Sequence, residues 1–234
     1  KVMDEILTAV RQVARTDTTV LLTGETGTGK GLIAQTIHRL SDRKNKPFVH
    51  IDCSAITPNL IENELFGHAK GAYTGADEAN PGRILQAHGG TIFLDEISEL
   101  PLNAQAKFLT FVQERYIIPV GSTKLTPVNA RVIAASNRDL ENFVREKRFR
   151  SDLFFRLNVI HFELPSLRKR KEDIYQLALF FCERFSLQHQ KPFSGITPKA
   201  LEVLNNRPRS GNVRELQNMM MRAILFSDDG WITP

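Results

Sequence analysis

A glycine-rich heptapeptide at residues 24–30 matches the pattern G-x-x-x-x-G-K and lies between two segments of different character. Residues 19–22 before it form a short apolar run typical of a buried strand, and residues 32–40 after it have the apolar periodicity of a helix. In this setting glycines let backbone N–H groups close around phosphate oxygens, and the helix N-terminus adds a positive field. We therefore predict a phosphate-binding loop, with an accidental glycine-rich turn as the alternative.

The residues predicted to bind the nucleotide are those of the loop and of the first helical turn after it: Gly24, Glu25, Thr26, Gly27, Thr28, Gly29, Lys30, Gly31 and Leu32. Lys30 would reach the β- and γ-phosphates of ATP. Gly31 occupies the position at which a Ser or Thr hydroxyl would bind Mg²⁺. We therefore expect the metal to depend on phosphates, water and acidic residues elsewhere in the chain.

Two carboxylates, Asp95 and Glu96, directly follow the apolar run at residues 91–94. A phosphoryl-transfer site needs an acid that holds the metal and a residue that orients the attacking water. We assign Asp95 to Mg²⁺, through water, and Glu96 to polarising the attacking water. A strand followed by an ordinary polar loop would give the same pattern, but its combination with the loop at residues 24–30 favours the catalytic interpretation.

Five apolar runs have strand character and are separated by helical segments, at residues 19–22, 48–51, 91–94, 131–135 and 159–162. This alternation predicts an α/β fold with a parallel five-stranded sheet covered on both faces. After the core only helical patterns follow, and Thr197 with Pro198 is typical of a helix start. We therefore predict a nucleotide-binding core at residues 1–166 and a small all-helical lid subdomain at residues 167–234.

Composition and charge exclude few functions. No apolar run approaches the ~20 residues that span a membrane, so we expect no membrane segment. Cys53 and Cys182 are far apart and lack metal-ligand spacing, which indicates reduced, buried thiols in a cytoplasmic protein. A net charge of +5 fits a phosphate ligand or nucleic acid, but a solvated surface explains it equally well.

The sequence at residues 64–76 is ELFGHAKGAYTGA. It closely resembles the ELFGH…GAFTGA signature of the bacterial enhancer-binding proteins, the AAA+ ATPases that activate transcription by sigma-54 RNA polymerase. The resemblance continues through residues 89–97, 131–140, 149–159 and 211–216, and so covers nearly the whole chain. It implies an AAA+ P-loop NTPase fold, ATP and Mg²⁺ as cofactors, and ATP hydrolysis that remodels the sigma-54 RNA polymerase holoenzyme.

The resemblance also implies a loop that contacts sigma-54 and moves with the nucleotide state, made of Gly71, Ala72, Tyr73, Thr74, Gly75 and Ala76. Tyr73 stands where the family has Phe, so the ring is kept and a hydroxyl is added. An exposed aromatic ring between flexible glycines is typical of a segment that meets a partner. From the residues alone, a plain surface turn with Tyr73 packed down remains the alternative.

Further site residues follow from the resemblance. Arg150 and Arg156 resemble arginine fingers, which reach the γ-phosphate of a neighbouring subunit in a ring of six or seven copies; ordinary surface salt bridges are the alternative. Asn137, next to Ser136, resembles sensor I, and Arg214 resembles sensor II. The four cations at residues 168–171 are interpreted as a solvated linker.

One departure from the family pattern concerns catalysis. Asp52 stands where the family usually has Asn, and its carboxylate would lie near Glu96, where like charges raise one pKa or separate the pair. Another departure lies around sensor II, where Arg209-Ser210-Gly211 replaces the usual Trp-Pro-Gly. A second hypothesis is therefore a nucleotide-binding regulator with weak or absent hydrolysis, in which ATP or ADP controls assembly. A third is another AAA+ remodeller, such as a protease unfoldase or helicase loader. DNA binding would require a domain absent from this chain.

Overall fold

The computed structural model describes residues 2–72, 78–207 and 210–234. These residues divide into two compact units. The first unit comprises Met3–Thr23 and Lys30–Glu163, and the second comprises Gly24–Gly29 and Leu164–Pro234. The glycine-rich loop therefore groups with the C-terminal region of the chain.

Helices and strands alternate through the first unit, and the second unit is mainly helical. In chain order they are α1 (Val2–Ala14), β1 (Val20–Thr23), α2 (Lys30–Arg39), β2 (Phe48–Asp52), α3 (Pro58–Phe66), α4 (Arg83–Gln86), β3 (Thr91–Asp95), α5 (Leu102–Glu114), β4 (Tyr116–Ile117), β5 (Thr126–Pro127), β6 (Arg131–Ser136), α6 (Leu140–Arg145), α7 (Ser151–Leu157), β7 (Ile160–Glu163), α8 (Glu172–His189), β8 (Gly195–Ile196), α9 (Pro198–Asn206), α10 (Asn212–Phe226) and β9 (Trp231–Ile232).

The first unit is built on a parallel five-stranded sheet with the order β2-β3-β6-β1-β7, which confirms the predicted sheet. Strand β6 is buried along its whole length, as expected for a central parallel strand covered on both faces. Because the strands are parallel, their carboxyl ends lie at one edge of the sheet. Asp52 and Asp95 are register partners at that edge.

Phenylalanines fill the core of the first unit, with Phe108 and Phe111 of α5 and Phe149 before α7 almost completely buried. Arg131 is also buried, although it is charged. Its guanidinium donates to the carbonyl groups of Ala14 and Val13, at 2.8 and 2.9 Å. It thereby satisfies the last carbonyls of α1, which would otherwise lack helical partners.

The second unit packs α8 against α10 over buried side chains that include Ile174, Phe181 and Leu216. The predicted start of α9 is confirmed, because the Thr197 side chain accepts a hydrogen bond from the Ala200 N–H and Pro198 follows it. The second unit is not all-helical as predicted, because β8 and β9 form a short parallel pair. In the part of the chain that the structure describes, no helix combines the length and apolarity needed to cross a bilayer.

Candidate active site

Glu96 lies at the carboxyl edge of the sheet, directly after β3. Its backbone is left-handed, with φ 52° and ψ 51°, an uncommon conformation for a residue other than Gly. Its Oε2 accepts the N–H of Asn137 at 3.0 Å, and its Oε1 lies 3.8 Å from the Nζ of Lys30. The strained turn therefore aims the carboxylate at a buried ammonium group and at the end of β6.

Burial raises the pKa of Glu96 above its ordinary value of 4.5. The Asn137 N–H and the Lys30 charge oppose this shift, whereas the charges of Asp95 and Asp52 add to it. The expected like-charge effect of Asp52 therefore has the predicted direction, although burial is the larger cause. A carboxylate whose pKa is raised is better matched to accepting a proton from water.

Asp52 itself is engaged locally. Its Oδ1 accepts the Ser54 N–H at 3.0 Å and the Ser54 hydroxyl at 2.6 Å, and so caps the short 3₁₀ turn at Cys53–Ala55. Asp95, its register partner, accepts the Glu96 N–H and has the ring of His50 3.9 Å from Oδ2. Asp52 and Asp95 thus end neighbouring strands at the sheet edge where Glu96 follows β3.

The two candidate finger arginines lie on or next to α7, and both are exposed. Arg150 forms a two-point ion pair with Asp152, through Nε at 3.1 Å and Nη2 at 2.7 Å. Arg156 lies in the last turn of the same helix, beside the exposed ring of Phe155. The structure therefore places both guanidinium groups on the surface of the first unit.

In the second unit, the glycine-rich loop has positive φ at Gly24, Gly27 and Gly29, at 144°, 79° and 106°. A Cβ at Gly27 would lie 2.3 Å from the Gly211 carbonyl oxygen, so only Gly fits there. A Cβ at Gly29 would meet no atom within 4 Å. The loop is thus tightly packed at Gly27 and open at Gly29. Arg214 is exposed, and its Cβ borders the position of Gly27.

The carbonyl groups of this loop are held by residues outside those predicted to bind the nucleotide. The carbonyl groups of Thr26, Gly27 and Thr28 accept hydrogen bonds from Asn212 Nδ2, the Val213 N–H and Arg170 Nη2, at 3.0, 2.9 and 3.0 Å. The Glu25 carboxylate pairs with Arg168 and Asn212.

The interpretation of residues 168–171 as a solvated linker is wrong for Arg170, which is 7% exposed because its guanidinium reaches a main-chain carbonyl. For Asn212 the sequence held one usable signal. An Asn after a Gly at a helix start is a residue type that tolerates the left-handed backbone it adopts, with φ 53°.

The predicted partner-binding loop is described only at Gly71 and Ala72, and Tyr73, Thr74, Gly75 and Ala76 lie outside the described residues. Before the loop, the N–H of Ala69 donates to the Val120 carbonyl, and after it Asn80 exchanges two hydrogen bonds with His68. A Cβ at Gly121 would lie 2.7 Å from that of Ala72. The base of the loop is therefore tied to the segment between β4 and β5.

Both cysteines are buried and free, as expected. Among residues 2–72, 78–207 and 210–234, no group of three or more His, Cys, Asp or Glu side chains gathers as a metal site.

Comparisons with known proteins identify the family to which this chain belongs. The family model described as "Sigma-54 interaction domain" matches residues 1–163, and "AAA+ ATPase lid domain" matches residues 168–234. The chain belongs to the sigma-54 interaction domain family. The resemblance to the AAA+ domain of the bacterial enhancer-binding proteins is thereby confirmed. The family match does not support the third hypothesis, a protease unfoldase or a helicase loader.

Two curated relatives come from Escherichia coli (strain K12). The DNA-binding transcriptional activator HyfR is 51% identical over 225 residues, which are 96% of this chain and 34% of the relative. The transcriptional regulatory protein ZraR is 45% identical over 231 residues, 99% of this chain and 52% of the relative. The chain thus spans about a third to a half of the length of these relatives.

A solved structure, NtrX from Brucella abortus in complex with ATP, superposes with a TM-score of 0.92 at 34% identity and covers 99% of this chain and 51% of that protein. This likeness agrees with the observed parallel sheet and helical C-terminal region. The AAA+ P-loop NTPase fold predicted from the sequence is therefore confirmed.

Proposed function

We propose that this chain is the ATP-hydrolysing domain of a sigma-54-dependent transcriptional activator and remodels the sigma-54 RNA polymerase holoenzyme through residues 71–76. The observation that carries the proposal is the position of Glu96, whose carboxylate lies between the Lys30 ammonium and the Asn137 N–H. A carboxylate held in this way, with a raised pKa, is suited to polarise an attacking water. The match to ATP-bound NtrX supports ATP as the ligand.

Each candidate residue has a role in this proposal. In the first unit, Lys30 neutralises phosphate charge, Asp95 holds Mg²⁺ through water, Glu96 orients the nucleophile and Asn137 senses the nucleotide state. In the second unit, the residues from Gly24 to Gly29 bind phosphates through backbone N–H groups, and Arg214 reaches the same phosphates. ATP supplies the phosphoryl group, and the side chains bind, orient and accept the proton.

Arg150 and Arg156 act in the proposed ring on a neighbouring subunit. Their exposure leaves both guanidinium groups able to meet another copy, and Asp152 pre-orients Arg150. A cation added at the transition state in trans is worth orders of magnitude in rate. Residues 1–166 would be the core and residues 167–234 the lid of each subunit. A cytoplasmic location follows from the proposed polymerase partner.

The test is ATP turnover by the purified chain over a range of protein concentrations. Specific activity should rise with concentration, because each site is completed by a neighbour, and Glu96→Gln should abolish turnover while nucleotide binding is retained. Arg156→Ala should lose turnover without losing binding. Activity that is independent of concentration in an oligomer-free sample would refute sites shared between subunits.

A nucleotide-gated scaffold is the second candidate, and the carboxylate of Asp52 favours it. A carboxylate accepts hydrogen bonds but cannot donate them, so Asp52 cannot hold Glu96 as an amide at this position could, and its Oδ1 accepts from Ser54 instead. Tight ATP binding without turnover in assembled rings would support the scaffold. Normal turnover would exclude it.

A further inference from the structure

We propose that Asn212 and Arg170 are positioning residues for the phosphate-binding loop, which they hold by the carbonyl groups of Thr26 and Thr28 so that the opposite N–H groups face the phosphates. The inference rests on the proposed function, since it takes the loop to bind nucleotide. It assigns a role to two side chains outside the predicted nucleotide-contacting set.

The Asn212 side chain forms hydrogen bonds with the loop and with Leu167 through both its nitrogen and its oxygen. It is completely buried, and its Nδ2 donates to the Thr26 carbonyl and to the Glu25 carboxylate, both at 3.0 Å. Its Oδ1 accepts the Leu167 N–H at 2.8 Å. A buried amide with both N–H donors and an oxygen lone pair engaged is held in one orientation. It therefore fixes the Thr26 carbonyl in place.

Arg170 holds the loop two peptides further on. Its Nη2 donates to the Thr28 carbonyl at 3.0 Å, and its Nη1 lies 3.6 Å from Asp173. Burying a guanidinium costs free energy unless hydrogen bonds and an opposite charge compensate. Stabilising a helix of the second unit does not require the free-energy cost of a buried guanidinium. The contact with the Thr28 carbonyl instead suits a loop whose N–H groups must face an anion.

Peptide geometry connects these contacts to binding. In a planar trans peptide the C=O and N–H groups point in opposite directions. Holding the carbonyls of Thr26 and Thr28 on one side therefore directs the N–H groups of Gly27 and Gly29 to the other side. The Gly27 carbonyl is held in the same manner by the Val213 N–H, a main-chain donor that any residue there would supply. A Cβ at Gly29 would meet no atom within 4 Å, so no packed group fixes this part of the loop from the Cβ side.

The test is a fluorescence titration with mant-ADP on the 234-residue chain, with urea unfolding of each variant. Asn212→Asp keeps the acceptor for Leu167 but loses the donor, and Asn212→Gly keeps the left-handed backbone but loses the side chain. Arg170→Met keeps the apolar stem only, and Arg170→Lys keeps one donor. Asn218→Asp and Arg184→Met are matched controls, because Asn218 is exposed on α10, which Asn212 begins, and Arg184 is exposed on α8, which begins two residues after Arg170.

Asn212→Asp, Asn212→Gly and Arg170→Met should each weaken mant-ADP binding about tenfold, the loss expected when a buried hydrogen-bonding group is removed. Arg170→Lys should recover part of the loss, and the controls should bind like the wild type. Affinities unchanged in all Asn212 and Arg170 variants, with the wild type binding, would overturn this inference alone. A wild-type chain that binds no mant-ADP would overturn the proposed function and the inference together. If Asn212→Asp does not fold, Asn212→Gly decides.

Discussion

Alanine substitutions at three neighbouring glycines should have graded effects that follow from the backbone and from the space around each residue. Gly27 has φ 79°, and an added Cβ would lie 2.3 Å from the Gly211 carbonyl oxygen. Gly29 has φ 106°, with nothing within 4 Å of an added Cβ. Gly31 lies in α2 with an ordinary helical backbone, and its Cβ would meet Phe93 at 3.8 Å. Alanine at Gly27 therefore tests a steric clash together with backbone strain, alanine at Gly29 tests backbone strain alone, and alanine at Gly31 tests helix propensity.

The magnitudes can be worked out for each. Left-handed backbone costs an L-residue about 1–2 kcal/mol, which applies to Gly27→Ala and Gly29→Ala. At Gly27 the Gly211 carbonyl must also move, although it accepts the Glu215 N–H that begins α10, and losing that bond adds about 1 kcal/mol. Gly27→Ala should therefore cost about 2–3 kcal/mol and Gly29→Ala about 1–2 kcal/mol. Gly31→Ala should stabilise the chain by about 0.5–1 kcal/mol.

Urea unfolding gives the free energies, and a mant-ADP titration gives the effect on the proposed site. Gly27→Ala should lose both stability and affinity, Gly29→Ala should lose affinity through a changed loop backbone, and Gly31→Ala should keep affinity. The same unfolding free energy for Gly27→Ala and Gly31→Ala would refute the reasoning, because the two sites differ in both φ and the nearest atom. Equal losses at Gly27 and Gly29 would refute only the contribution of the clash.

Three further outcomes follow from the titrating groups. Glu96→Gln should raise the free energy of unfolding at neutral pH, because folding raises the pKa of Glu96 and so disfavours its ionised form. The gain in stability should disappear as the pH falls to about 4.5, the ordinary pKa of the side chain. A gain that persists in acid would contradict this. Asp52→Asn should move the acid limb of the turnover profile to lower pH, since one charge that raises the pKa of Glu96 is removed while an amide oxygen can still cap Ser54; an unmoved limb would show that burial alone sets it. Burial raises the pKa of the thiols of Cys53 and Cys182, the latter to about 12, so a disulfide reagent should label neither in the folded chain and both in urea.

The central sheet could be predicted because each strand is a short apolar run bounded by glycines, acids or polar turns. Strands β3 and β6 are buried almost throughout, and such runs leave little ambiguity once helical periodicity separates them. The pair β8 and β9 was missed because two residues carry no periodicity. The end of α1 at Ala14 could not be read from the sequence, because the donor to its last carbonyl groups is Arg131, which is distant along the chain.

At the candidate site, the residues proposed to act through side-chain chemistry were visible in the sequence, and those proposed to act on the main chain were not. Lys30, Asp95 and Glu96 follow a spacing that phosphate chemistry requires, and the structure brings Lys30 to 3.8 Å from Glu96. The left-handed turn that aims Glu96 was not visible, since nothing in the residue type indicates positive φ.

Arg170 shows why the remainder could not be predicted. A run of four cations favours a solvated segment, and the pattern contains nothing to separate its third member from the others. What buries Arg170 is the Thr28 carbonyl, 142 residues away in sequence, and every residue carries a carbonyl. The partner of a main-chain acceptor is decided by the path of the backbone and not by the residue it belongs to. Residues that bond to the carbonyl groups of a loop are therefore found only once the fold is known. The motif residues of the candidate site can be found from the sequence alone.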